Sequence, residues 1–189
     1  MKANLTEIIV LYSDTIPKPE FEKTAKVVAR GLAPLREKGE ELRFTVCAFG
    51  ADGANYKKVC ENAHECKVIA RSLISGKSGY EIALVDSAMQ LIGEVGTRYC
   101  NTPDDEIPSR IIFVTAVFGI DNASKKCTYD DLRNIIGHQS NTYKWEFFVL
   151  TDTPSNAERL GVPESNVVVT PTDTDGYLKS AIEKLCELL

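Results

Sequence analysis

Short apolar runs alternate along this chain with longer segments whose apolar residues recur at three- and four-residue steps. The runs 8–12 and 110–117 are almost continuously apolar, which is typical of central strands buried on both faces. Helical segments between such strands indicate crossover helices, because parallel strands need a long connection. The pattern predicts an α/β fold, a doubly wound and mostly parallel central sheet of Rossmann-like type with helices on both faces.

Local signals place the remaining elements. The Gly50-Ala51-Asp52-Gly53 turn signal predicts a hairpin into the following segment. Thr128 followed by Asp130 and Asp131 predicts a helix N-cap with acids in the first turn. Further strands are predicted over 42–49, 145–150 and 167–169. Helices are predicted over 20–38, over 80–95 with Gly96 as the end, over 128–138, from Pro154, and over 173–189. With 189 residues and no repeat or linker, a single domain over 1–189 is expected.

Charge and hydropathy narrow the classes of partner. The chain has 22 Lys and Arg against 27 Asp and Glu, a formal net charge of −5. This balance gives no clustered positive charge for nucleic acid or an anionic membrane. The apolar runs are far shorter than the ~20 residues that span a bilayer, and residues 1–12 lack the long apolar region of a signal peptide. We therefore expect a cytoplasmic protein.

Cysteine and motif patterns favour no metal or nucleotide chemistry. Six scattered cysteines in a chain of this size indicate reduced thiols. Cys60, His64 and Cys66 are close in sequence, but their spacing matches no ordinary zinc knuckle and a fourth ligand is not evident nearby. The sequence contains neither G-x-G-x-x-G after its first strand nor G-x-x-x-x-G-K-[ST], which leaves no specific argument for a nucleotide enzyme. Asp86 is interpreted as a capping or packing residue. Asn122 and Ser124 are interpreted as residues that satisfy turns of their own loop rather than as ligands.

Three loops, 12–17, 75–80 and 117–124, are expected to meet beyond the carboxyl ends of the strands. The segment Gly119-Ile120-Asp121-Asn122-Ala123-Ser124, followed by two lysines, is similar to the bacterial pattern T-D-G-x-E-N-A-S. The segment 144–150 is similar to G-W-E-F-x-F-L, and 76–88 is similar to a G-G-T loop leading into L-x-D-A. On these motifs the chain resembles von Willebrand factor A (vWA) domains of the bacterial and phage intracellular kind over nearly its full length. The resemblance implies a protein-binding module.

That family carries a metal-ion-dependent adhesion site (MIDAS), in which D-x-S-x-S, a Thr and an Asp surround Mg²⁺ or Mn²⁺. By this resemblance, D-x-S-x-S falls on Tyr12-Ser13-Asp14-Thr15-Ile16, the Thr on Ser78 and the Asp on Phe118. The oxygen ligands that remain are Ser13, Asp14, Thr15 and Ser78, with Asp121 farther along its loop. One carboxylate and several hydroxyls hold Mg²⁺ poorly against its hydration shell. We expect a degenerate MIDAS with no bound metal and no cofactor.

Two interpretations of Tyr12 and Phe118 remain open: the rings fill an emptied cleft, or they form a contact patch for a partner. The leading hypothesis is a non-enzymatic module that binds another protein through a cleft without metal; the cleft residues are Tyr12, Ser13, Asp14, Ser78, Phe118 and Asp121. A second hypothesis keeps Mg²⁺ or Mn²⁺ in a shifted site that grips a partner's carboxylate; its ligands are Ser13, Asp14, Ser78 and Asp121. A third, an enzyme that uses the switch-point cleft, depends on fold analogy alone.

Overall fold

The computed structural model describes residues 1–14, 33–50, 57–63, 81–169 and 187. Within this part of the chain one six-stranded sheet is formed. Its strands are β1 (Lys2–Ser13), β2 (Glu41–Phe49), β3 (Lys57–Ala63), β4 (Pro108–Val117), β5 (Glu146–Thr151) and β6 (Val167–Val169).

The strand order is β3-β2-β1-β4-β5-β6. β1 pairs in parallel with both β2 and β4, and the parallel pairing continues through β5 to β6. β3 pairs antiparallel with β2, which confirms the predicted hairpin. The chain leaves β1 toward β2 on one side and later returns to β4 on the other, so the switch point of the sheet lies between β1 and β4. The predicted doubly wound, mostly parallel sheet is confirmed.

Helices from the later part of the chain cover one face of this sheet. The helices in the described residues are α1 (Ala33–Glu37), α2 (Leu84–Cys100), α3 (Tyr129–Tyr143), α4 (Pro154–Leu160) and a 3₁₀ turn, Glu164–Asn166. Apolar residues of α2, α3 and α4 share a core with Ile9 and Phe113. Ile8 and Ile112, which alternate with those strand residues, are buried as well, so both faces of the sheet are covered. None of the described helices is long and apolar enough to cross a membrane.

Three predicted helix boundaries are wrong, the start and end of α2 and the end of α3. α2 begins at Leu84 and continues through Gly96 to Cys100. A glycine inside a helix costs only about 1 kcal/mol, and burial of Val95 together with the contacts of Arg98 holds the additional turn. α3 continues past His138 to Tyr143 and ends with Lys144 in the left-handed conformation at φ 60°. Its predicted start is confirmed, because Thr128 and Asp131 form a capping box.

Several predictions fall outside the described residues. They are the helix over 173–189 apart from residue 187, most of the helix over 20–38, and the residues Thr15, Ile16, His64, Cys66 and Ser78. Among the described cysteines, which are Cys47, Cys60, Cys100 and Cys127, no disulfide is formed. Cys60 pairs with Val46, and Cys47 pairs with Lys58. The pairing of β2 with β3 therefore shifts register between Val46 and Cys47, which indicates a bulge at this point.

A buried polar network lies beneath the last turn of α2, near the amino ends of the parallel strands. Glu7 on β1 is fully buried. Its Oε1 accepts hydrogen bonds from Arg98 Nη2 and Thr45 Oγ1, both at 2.6 Å, and its Oε2 accepts one from the Tyr99 hydroxyl at 2.8 Å. Arg98 Nη1 also donates to Glu61 on β3 at 3.1 Å. The network therefore fastens the carboxyl end of α2 to three strands.

Candidate functional site

The parallel strands end together at one side of the sheet, which we call the carboxyl edge. It comprises Asp14, Gly50, residues 82–86 at the start of α2, the β4–α3 loop (residues 118–128) and residues 152–156. This edge contains the switch point, where ligands bind in open α/β sheets.

The ends of β1 and β2 approach each other closely at this edge. The Asp14 N–H donates to the Phe49 carbonyl at 2.8 Å, and the Ala83 N–H donates to the Gly50 carbonyl at 3.2 Å. A Cβ on Gly50 would lie only 2.9 Å from Asp14 Cγ. The Asp14 carboxylate therefore lies directly over the backbone of Gly50, and a side chain at position 50 would displace it.

The β4–α3 loop caps α2 from a distance in sequence. The N-cap residue of α2 is Ala83, whose side chain makes no capping hydrogen bond. Instead, Asn122 Oδ1 accepts from the Ile82 N–H at 2.7 Å, Asp121 Oδ2 from the Val85 N–H at 3.0 Å, and Ser124 Oγ from the Asp86 N–H at 3.1 Å. These acceptors satisfy the free N–H groups at the start of the helix.

Asp86 on α2 in turn accepts hydrogen bonds from the backbone of the β4–α3 loop. Its carboxylate accepts from the N–H groups of Lys125 at 2.8 Å, Lys126 at 3.0 Å and Cys127 at 2.9 Å. Of the two roles expected for Asp86, capping and packing, these contacts fit the second, because the carboxylate holds a neighbouring loop against α2. Asn122 and Ser124 were expected to satisfy turns of their own loop, and that expectation is wrong because the uncapped start of α2 offers them better donors.

Gly119 is held by two side chains that the sequence analysis did not single out. Its N–H donates to Asp152 Oδ1 at 2.8 Å, and its carbonyl accepts from Asn156 Nδ2 at 2.7 Å. Its φ of +103° and the 2.7 Å from a built Cβ to Ile82 Cδ1 exclude a larger residue. The sequence predicts only a helix from Pro154 in this region, and no local signal connects it with Gly119.

The two aromatic residues at the edge are packed inside the protein. Tyr12 is 3% exposed and Phe118 is 8% exposed, and Ser13 is fully buried. Burial, aided by the nearby Asp14 charge, raises the pKa of the Tyr12 hydroxyl well above its usual value. These positions fit the interpretation that the rings fill the former cleft and do not fit an exposed aromatic patch.

Alkaline titration is expected to unfold the protein partly through Tyr12 and Tyr99. Burial raises the pKa of both hydroxyls, whereas unfolded tyrosines ionise near pH 10. Their contribution to folding is therefore complete below about pH 10 and is lost as the pH rises, by about 1.4 kcal/mol per pH unit for each residue. Urea unfolding at pH 8, 10 and 11 measures this slope.

Tyr12→Phe should reduce that slope, whereas Tyr143→Phe should leave it unchanged because Tyr143 is 60% exposed. Equal slopes for the two variants would contradict the assignment to Tyr12.

Exposed apolar side chains are also present at the carboxyl edge. Among the described residues the large exposed ones are Met1, Ile120, Tyr143 and Val169. Ile120, which is 48% exposed, follows Gly119 in the β4–α3 loop, and Val169 ends β6. Met1 and Tyr143 lie toward the opposite, amino edge, because they precede β1 and β5.

The described part of the edge offers few free ligands for a metal. Within it, no group of three or more His, Cys, Asp or Glu side chains is arranged to hold an ion. Asp121 accepts three backbone hydrogen bonds, which come from Ala123 and Ser124 in its own loop and from Val85 on α2. A carboxylate has about four acceptor positions, so an ion would have to compete with these bonds.

Comparison with solved structures places this geometry in a known fold. The structure of proximal thread matrix protein 1 (PTMP1) from the mussel byssus with a zinc-occupied MIDAS motif matches with a TM-score of 0.72 at 12% identity. The chain has a vWA-like fold. A second crystal form of PTMP1 matches with a TM-score of 0.70, and each match covers 99% of this chain and 48% of PTMP1.

This chain therefore spans about half the length of PTMP1. At 12% identity the likeness is one of fold alone. No protein-family model and no curated protein matches the sequence.

Proposed function

We propose that this chain is a protein-interaction module of vWA type that binds another protein at its carboxyl edge without a MIDAS metal. The observation that carries the proposal is the β4–α3 loop, which is fixed by hydrogen bonds on both sides and exposes Ile120. The vWA-like fold supports the same class of function, since the resemblance implies binding rather than catalysis.

The rigidity of the loop favours recognition. Asp121 connects it to α2, while Asp152 and Asn156 hold Gly119 from the other side. A loop that is already ordered loses little conformational entropy when a partner binds. An aliphatic side chain such as Ile120 on a fixed backbone is therefore suited to insert into an apolar pocket of a partner.

The acids of this edge support a metal-independent mode. The carboxylates of Asp86, Asp121 and Asp152 all accept backbone N–H groups. The resemblance aligns the first and last MIDAS acids with Tyr12 and Phe118, and the rings of these two residues are buried. A shifted Mg²⁺ or Mn²⁺ site would require Asp121 to exchange its backbone bonds for the ion.

Ile120→Asp is expected to abolish partner binding. A carboxylate at this position would be desolvated unpaired in an apolar pocket, which opposes association. The immobilised chain is incubated with an extract of its source cells, and bound proteins are quantified by mass spectrometry. A specific partner should fall at least about tenfold with Ile120→Asp, which corresponds to roughly 1.4 kcal/mol.

The matched control is Tyr143→Asp, which places the same charge on an exposed residue at the amino edge. It should retain the partner, and both variants should keep the unfolding temperature of the wild type. A partner that is lost equally with both variants would place the interface elsewhere.

Divalent cations are expected to have no effect on that interaction. Isothermal titration of Mg²⁺ and Mn²⁺ should give no binding below millimolar concentrations, and EDTA should leave the partner bound. Binding in the micromolar range that is lost in both Asp14→Asn and Ser78→Ala would instead support the shifted metal site.

A further inference from the structure

Three consecutive backbone N–H groups of the β4–α3 loop converge on one carboxylate. Those of Lys125, Lys126 and Cys127 donate to Asp86 with four contacts of 2.8–3.2 Å. Asp86 comes from α2, about forty residues earlier in the chain, and is 8% exposed.

Such a run of N–H groups has the form of an anion-binding nest. Successive amides that point into one concavity bind phosphate and carboxylate groups, and charge-assisted hydrogen bonds are stronger than neutral ones. The run is separate from the cap of α3, since the Thr128 N–H donates to Asp131 instead, at 2.8 Å. The anion in this nest is therefore the Asp86 carboxylate, which comes from another element, α2.

We propose that the amides of Lys125–Cys127 form an oxyanion-binding nest whose built-in ligand is the Asp86 carboxylate. When that side chain is shortened, the nest takes a free planar carboxylate of the size of formate. This site is independent of the proposed partner interface, because it needs neither Ile120 nor another protein.

Asp121 provides a matched comparison within the same loop. It also accepts three backbone N–H groups, but one belongs to Val85 on α2 and the other two to Ala123 and Ser124. Its donors are therefore divided between two elements and form no run of three consecutive amides. Removal of the Asp121 carboxylate should leave no site that a free carboxylate can restore.

Chemical rescue tests the proposal. Asp86→Ala is heated in sodium formate and in sodium chloride at equal ionic strength, alongside the wild type and Asp121→Ala. Formate should raise the unfolding temperature of Asp86→Ala by several degrees relative to chloride, and should change the other two proteins by less than one degree. If Asp86→Ala is unfolded in chloride, refolding of the variant in formate but not in chloride supports the proposal as well.

Amide hydrogen exchange reports on the nest directly. The amides of residues 125–127 should be protected in the wild type, exchange at least tenfold faster in Asp86→Ala in chloride, and regain protection in formate. The proposal is overturned if Asp86→Ala behaves the same in formate and in chloride, whether it is folded in both or unfolded in both. It is also overturned if formate stabilises Asp121→Ala as much as it stabilises Asp86→Ala.

Discussion

Replacing Glu7 with Gln is expected to lower the free energy of unfolding by about 3–5 kcal/mol, the usual cost of removing one partner of a buried ion pair. Glu7 is fully buried and accepts from Arg98, Thr45 and Tyr99. A neutral amide in its place supplies only one oxygen, and the Arg98 charge keeps only the more exposed carboxylate of Glu61 as a counterion.

A double-variant cycle identifies the pair as the cause. Arg98 is 18% exposed, so part of its charge can be solvated once Glu7 is changed. Glu7→Gln combined with Arg98→Met should cost less than the sum of the two single changes, because only the single variants leave one charge of the pair without the other. Additive effects would indicate that the two side chains do not interact.

Tryptophan fluorescence provides the measurement. Trp145 is the single tryptophan of the chain, and its ring lies edge-on to Tyr99 with 6.1 Å between centroids. Urea unfolding followed at this residue therefore reports on the network. The control is Glu41→Gln, which removes a surface pair with Lys2 and should cost at most about 1 kcal/mol. A similar loss for both variants would contradict the expected effect of burial.

Asp86→Asn is expected to lower the free energy of unfolding by about 2–4 kcal/mol. The NH₂ group of the amide would face backbone N–H groups that now donate to the carboxylate. A buried donor without an acceptor costs about 1–3 kcal/mol. Lys125 and Lys126 lie at the surface, so water can replace part of the loss.

Urea unfolding measures that change against Asp130→Asn, which alters an acid whose side chain is 76% exposed and should stay within about 0.5 kcal/mol of the wild type. If the two substitutions have equal effects, the four contacts of Asp86 do not stabilise the loop.

The parts of the fold that were predicted correctly depend on local patterns. The apolar run 110–117 could only be a buried central strand, and the Thr128 capping box needs only residues within one helical turn. The ends of α2 were missed because they depend on distant groups. Its start is capped by residues 121–124, and its last turn is held by Glu7.

The candidate site divides in the same way. The order of the motifs predicted which loops follow the ends of the parallel strands, and the aromatic identity of residues 12 and 118 already argued against the usual metal ligands. Whether those rings face solvent depends on packing around the whole sheet, and both are buried. The same packing leaves Ile120 exposed, although it is as apolar as its buried neighbours.

The sequence by itself determined the α/β class, the central strands and the local caps, because alternation and hydrogen bonding within a few residues decide them. Only the tertiary structure decided which polar groups are satisfied across the fold. Asp86 and the amides of 125–127 are about forty residues apart, and Glu7 and Arg98 are 91 apart. No local pattern records such a pairing, since it exists only when the sheet brings the two segments together.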